Sequence, residues 1–214
     1  MLQIIPAVLG KTEEQYRDDM DRLSKCEALE DGWVHIDFAD AEFVPNETVG
    51  VDVVAKVPTN FKKEAHLMVS HPKDWVDKLV DAGFERIIFH IESKDDASKV
   101  VDYIKSKGIE VGVAIKMDTS LEVLESLVDR IDVVLVMAIV PGFQGQPFIP
   151  ESLDRIREIR SKNWPIKVAV DGSVQDINAK ALVDAGVNNL ISGSYILKGD
   201  IDENVERLWE VINV

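Results

Sequence analysis

The stretch IKVAVDGSVQDINAKALVDAGVNNLISG, residues 166–193, holds three patterns in succession. A short β-branched run ends at Asp171 and a Gly-Ser turn. A segment of helical character then stops at Gly186, and a second apolar run leads into another Gly-Ser pair, Gly193 and Ser194. Strand, helix and strand in such quick succession form the unit of a parallel sheet, in which each helix crosses back over the strands it connects. The same alternation continues outward in both directions.

Toward the N-terminus the strand-like runs are LQIIPAVL, WVHIDF, EAHLMV, RIIFHI, EVGVAIK and IDVVLVM. Between them lie TEEQYRDDMDRLSK, HPKDWVDKLVDAG, DDASKVVDYIKSKG, TSLEVLESLVDR and PESLDRIREIRSK, and DENVERLWEVIN closes the chain. Capping boxes are expected at Thr12 to Gln15 and Thr119 to Glu122, and helix stops at Gly83, Gly108 and Gly186. The second repeat has no clear long helix after VPNETVG. Eight strand-like runs at an average period of about 27 residues favour a (β/α)8 TIM barrel over an open doubly wound sheet. No linker or composition shift divides residues 1–214, so one barrel domain is expected.

Composition narrows the function. The chain is 46% hydrophobic and 29% charged, enough for a full core, and its one cysteine, Cys26, rules out an internal disulfide and suits a reducing, cytoplasmic setting. No run approaches the ~18 apolar residues of a membrane span. Lys and Arg number 24 against 39 Asp and Glu, for a net charge of -15. That balance argues against nucleic acid and anionic membrane partners, and an anionic substrate would need a local device to hold it.

A barrel places its chemistry at the C-terminal ends of its strands. His35 and Asp37, two apart on one strand, point to the same face, while Ile36 and Phe38 point the other way. His66 ends the third strand and Asp171 the seventh. Two imidazoles and two carboxylates converging on one mouth make a four-ligand site for a divalent metal such as Zn, Fe or Mn. By contrast, His90 and His71 read as ordinary satisfied polar groups, and Met68 and Met137 as core filler. The turn VPGFQGQ and the Gly193–Ser194 pair lie where this architecture holds phosphate on backbone N–H groups.

The blocks IIPAVLG, HIDFADAEFVPNETVG, HLMVSHP, FHIES, VPGFQGQPFIPESLDRIREIR, VAVDGSV and AGVNNLISGSYIL together resemble the ribulose-phosphate 3-epimerase family over nearly the whole chain. The resemblance implies that His35, Asp37, His66 and Asp171 ligate a divalent metal (Zn, Fe, Mn or Co), with no organic cofactor, and that Asp37 and Asp171 transfer the protons. It implies a small sugar phosphate as partner, with Gly142, Phe143, Gln144 and Gly145, Gly172 and Ser173, and Gly193 and Ser194 around the phosphate. Ala7, His66, Met68 and Met137 are the further substrate-side positions, the two methionines flanking a planar intermediate. Family members associate, so a homo-oligomer is expected. The implied reaction is epimerisation at C3 of a ketose phosphate, D-ribulose 5-phosphate to D-xylulose 5-phosphate.

Departures from the family pattern bear on the substrate. Ala7 stands for the family's serine, Ala39 for its methionine and Ala41 for its glycine; GFQG replaces Gly-Phe-Gly-Gly and DGS replaces Asp-Gly-Gly. GQPFIPE and VDGS are similar to the allulose-6-phosphate 3-epimerase branch, which keeps that substrate as an alternative. A non-catalytic sugar-phosphate-binding barrel is the rival of another class. A decarboxylase of the orotidine type would need an Asp-x-Lys-x-x-Asp strand end, and no Asp-x-Lys occurs.

Overall fold

The computed structural model describes residues 2–142 and 145–213. Eight parallel strands close into a barrel in sequence order: β1 Gln3–Val8, β2 Trp33–Ala39, β3 Lys62–Met68, β4 Phe84–His90, β5 Glu110–Ile115, β6 Val133–Met137, β7 Lys167–Asp171 and β8 Asn189–Ser192. The helices α1 Glu13–Leu23, α2 Val51–Val54, α3 Val76–Asp81, α4 Ala97–Ser106, α5 Ser152–Ser161, α6 Asp176–Ala185, α7 Ser194–Leu197 and α8 Ile201–Ile212 fill the connections and the C-terminus. The (β/α)8 barrel expected from the alternation is the fold.

Strand alternation separates two cores. On β2, Val34, Ile36 and Phe38 face outward into the layer shared with the helices, which also takes Tyr16, Leu79, Val100 and Leu182. Inward-facing Ile5, Ile88, Val133, Leu135 and Ile191 plug the barrel. The plug is tight enough that Gly112 has no room for a side chain: an added Cβ would lie 2.6 Å from Val133 Cγ1 and 2.8 Å from Ile88 Cγ1. Toward the N-terminal end the interior turns polar. Arg86 is fully buried there, bridged to Glu64 and Glu110 on the flanking strands, with its guanidinium 4.0 Å from the centre of the Trp33 ring.

Three local expectations change. Residues 119–130 were expected to form a helix, yet among them only Leu121–Leu124 is helical, as a 3-10 turn. Most later turns close i to i+3, as in Leu127 N–H to Leu124 O and Arg130 N–H to Leu127 O, both at 2.8 Å. The Thr119 capping box does not form, because the Thr119 hydroxyl donates to Glu92 and Ser120 caps the turn instead. At Thr12 the cap is present, its hydroxyl accepting from Gln15 N–H at 3.1 Å, but Gln15 Oε1 returns to Lys11 N–H. The second connection carries only the four-residue α2, in keeping with the absence of a long helical pattern after VPNETVG.

Candidate metal centre and active face

Pairing brings the candidate ligands together before any side chain is considered. Asp37 and His66 are register neighbours across β2 and β3, as are His35 and Glu64, while Asp171 ends β7 across the barrel mouth. One ligand atom from each of His35, Asp37, His66 and Asp171 falls within 4.8 Å of every other. His66 Nδ1 lies 2.8 Å from Asp37 Oδ1 and 3.9 Å from Asp171 Oδ2. His35 Nε2 sits 3.4 Å from Asp37 Oδ1 without hydrogen-bond geometry, and it is a buried nitrogen with no hydrogen-bond partner.

The outer nitrogen of His35 explains the inner one. Its Nδ1–H donates to Glu64 Oε1 at 2.7 Å, and Glu64 Oε2 is in turn held by Arg86. That bond orients the ring with Nε2 toward the carboxylates. Burial by itself would lower the His35 pKa, but the hydrogen bond to Glu64 and the close charges of Asp37 and Glu64 raise it to about 10. The pocket therefore calls for positive charge at Nε2. A cation meets that demand, and the donor set of two imidazoles and two carboxylates fits a divalent transition metal.

The two aspartates are held in different states. Burial would raise Asp37, yet the hydrogen bond with His66 and the close charges of His35 and His66 outweigh it and hold the carboxyl well below the usual range. Asp171 is pushed up to about 6 by burial and by the charge of Asp37. Two carboxylates at one mouth with their proton affinities driven apart are suited to acid and base roles.

A cavity opens above them. Asp37, Asp171, Met68, Met137 and Ala7 line its floor and walls, and Gly142, Gly145, Gly172, Ser173, Gly193 and Ser194 line it as well. Gly172 has φ +118, and a Cβ there would meet Ile139 N at 2.8 Å, so the close turn requires glycine. His66, counted among the substrate-side residues from sequence, is fully buried and does not line the cavity. Phe143 and Gln144 lie outside the described residues.

Residues 3–197 match the model of the ribulose-phosphate 3 epimerase family. The chain belongs to that family. A ribulose-phosphate 3-epimerase from Schizosaccharomyces pombe is 34% identical over 208 residues, covering 95% of this chain and 90% of its own. One from Chlamydia muridarum is 35% identical over 175 residues, 78% of this chain and 77% of its own. Among solved structures, 3-keto-L-gulonate-6-phosphate decarboxylase from Vibrio cholerae aligns with a TM-score of 0.74 at 13% identity over 99% of this chain and 97% of that one, a likeness of fold.

Two departures from the epimerase family pattern acquire a physical meaning. Ala41 and Ser173, both at family glycine positions, have φ +58 and +51, the left-handed region that side chains resist. Ser173 has a compensation, since its hydroxyl donates to Gln146 O and ties the β7 turn to the loop after β6. Ala41 has only its backbone bond to Asn46 O at 2.9 Å.

Sequence reasoning missed the residues behind the candidate ligands. Glu64 and Arg86 are visible only through strand register. His90 is fully buried with its Nε2 3.0 Å from His66 Nε2. Behind it, Glu92 accepts from His90 Nδ1–H at 3.1 Å and from Lys116 N–H at 2.9 Å. Burial would raise Glu92, but those bonds and that from Thr119 hold it at about 2. Two imidazoles that meet across neighbouring strands but lie 24 residues apart in sequence give no spacing signal.

Proposed function

We propose that the protein epimerises C3 of a ketose phosphate, interconverting D-ribulose 5-phosphate and D-xylulose 5-phosphate. The observation that carries this reading is the pair Asp37 and Asp171, drawn from strands on opposite sides of the mouth, one held ionised and the other driven toward its neutral form. Family membership supports it, and the relatives' own names give the substrate class.

The C–H beside a ketone is weakly acidic, and a carboxylate alone is a poor base for it. His35, Asp37, His66 and Asp171 would hold a divalent cation (Zn, Fe, Mn or Co), which would supply positive charge against the negative charge that develops on deprotonation. The remaining chemistry belongs to the chain. One aspartate takes the C3 proton from one face, and the other returns a proton to the opposite face, inverting the centre. Met68 and Met137 bound the space for a planar intermediate without offering it a proton. Backbone N–H groups at Gly142 and Gly145, Gly172–Ser173 and Gly193–Ser194 hold the phosphate, the local device that a chain of net charge -15 requires. No organic cofactor enters this scheme.

The test is a coupled epimerisation assay run on D-ribulose 5-phosphate and D-allulose 6-phosphate side by side. Preference for the pentose by kcat/KM supports the reading. Preference for the hexose moves the substrate to the branch suggested by GQPFIPE and VDGS. No turnover of either by metal-loaded protein overturns catalysis and leaves a sugar-phosphate-binding barrel.

A further inference from the structure

His90 has no part in the scheme above, yet it is fully buried against a metal ligand. Its Nε2 and that of His66 are 3.0 Å apart, with ring centroids at 5.1 Å. Two nitrogens at that separation share one proton, and the question is which ring owns it. Glu92 decides this from the far side, because its Oε2 lies 3.1 Å from His90 Nδ1 and, as an ionised carboxylate, only accepts. The Nδ1 proton is therefore on His90. Glu92 is fixed in turn by Lys116 N–H at 2.9 Å and by the Thr119 hydroxyl. The Phe43 ring, 4.9 Å from that of His90, packs against the pair.

A neutral imidazole with its proton on Nδ1 presents a lone pair at Nε2. The proton between the two rings then belongs to His66 Nε2, and a neutral His66 so protonated has its lone pair at Nδ1, the atom 2.8 Å from Asp37 and 3.9 Å from Asp171. We infer that His90 and Glu92 are positioning residues for the metal ligand His66, holding its Nε2 protonated so that Nδ1 is presented to the cation. The inference rests on the metal-dependent reading above. It gives the second imidazole ligand the counterpart of what Glu64 gives the first: each outer N–H ends on a buried or half-buried carboxylate, directly for His35 and through a second ring for His66.

The experiment uses the full-length chain loaded with zinc. With only four histidines, long-range proton–nitrogen correlation spectra of labelled protein resolve each ring. The expected pattern is His66 protonated on Nε2 and His90 on Nδ1; finding His90 protonated on Nε2 overturns the inference, and no substitution is needed to learn it. Zinc affinity, measured by competition with a chelator, gives the second arm. His90→Phe removes the acceptor and weakens zinc binding about 10- to 100-fold, whereas His90→Gln, whose amide oxygen reaches the place of Nε2, recovers most of it. Equal affinity in wild type and a folded His90→Phe overturns the inference while leaving the metal site standing. A wild-type chain that takes no zinc overturns the metal reading itself.

Discussion

Arg86 heads the fully buried side chains by volume among the described residues. A guanidinium in that position persists because Glu64 and Glu110 flank it and Trp33 lies against its face. Its removal leaves Glu64 as a buried charge with only His35 for company. Arg86→Met is therefore expected to destabilise the protein by about 3–5 kcal/mol, the usual cost of breaking a buried pair from one side. Denaturant unfolding measures it, and adding Glu64→Gln should return part of the loss, since the orphaned charge is then gone. A cost under about 1 kcal/mol for the single variant would show that water replaces the guanidinium. None of this was legible in RIIFHI, where Arg86 reads only as the polar start of an apolar run. The information lies in register, which pairs Arg86 with Glu64 on one side and Glu110 on the other. The candidate ligands were legible for the opposite reason: Asp37, His66 and Asp171 lie at or near the C-terminal ends of their strands, where a barrel requires chemistry whatever the register, and the two-residue strand period puts His35 on the face of Asp37.

At the scale of the element, the eight strands stood out because β-branched runs buried on both faces have few other uses in a chain of this composition. Residues 119–130 did not, since Leu121, Leu124, Leu127 and Val128 are buried at a spacing that successive tight turns satisfy as well as an α-helix does. The loop after β2 shows a third case, where a residue identity conflicts with the backbone beneath it. Asp40 accepts from Glu42 N–H, Phe43 N–H and Ser70 N–H at 2.7–2.9 Å, and this fixes the turn so firmly that Ala41 stays at φ +58. Left-handed backbone costs a side-chain-bearing residue roughly 1–2 kcal/mol, and glycine gives back part of that gain through its freer unfolded chain. Ala41→Gly is thus expected to stabilise the protein by about 0.5–1 kcal/mol, read as a higher denaturation midpoint at unchanged slope. A destabilised variant would mean that the turn adapts to Ala41 in solution.

Across the whole molecule, the barrel interior carries more negative than positive charge at its active end. Asp37 and Asp171 come together there, and Glu64 stands behind His35; Arg86, on the far side of Glu64, is already engaged by two carboxylates. A proton on His35 meets part of that demand, as its raised pKa shows. A divalent cation at the proposed site would meet it better, and it would bind the folded state alone, because the candidate ligands come from β2, β3 and β7 and are assembled only when the barrel closes. Binding to the native state stabilises it by about 2.7 kcal/mol at a free metal concentration one hundred times Kd. For a chain of this length that corresponds to a rise in Tm of roughly 5–10 °C. Stripping the metal with a chelator should lower Tm by that amount, and titrating it back should raise Tm with the logarithm of free metal. Asp171→Asn, with one charged ligand removed, should show a smaller shift at the same free concentration while retaining the fold. If wild type and Asp171→Asn respond alike, Asp171 is no ligand and keeps only its proton-transfer role; if neither responds, protons alone balance the interior and the cluster is not a metal centre.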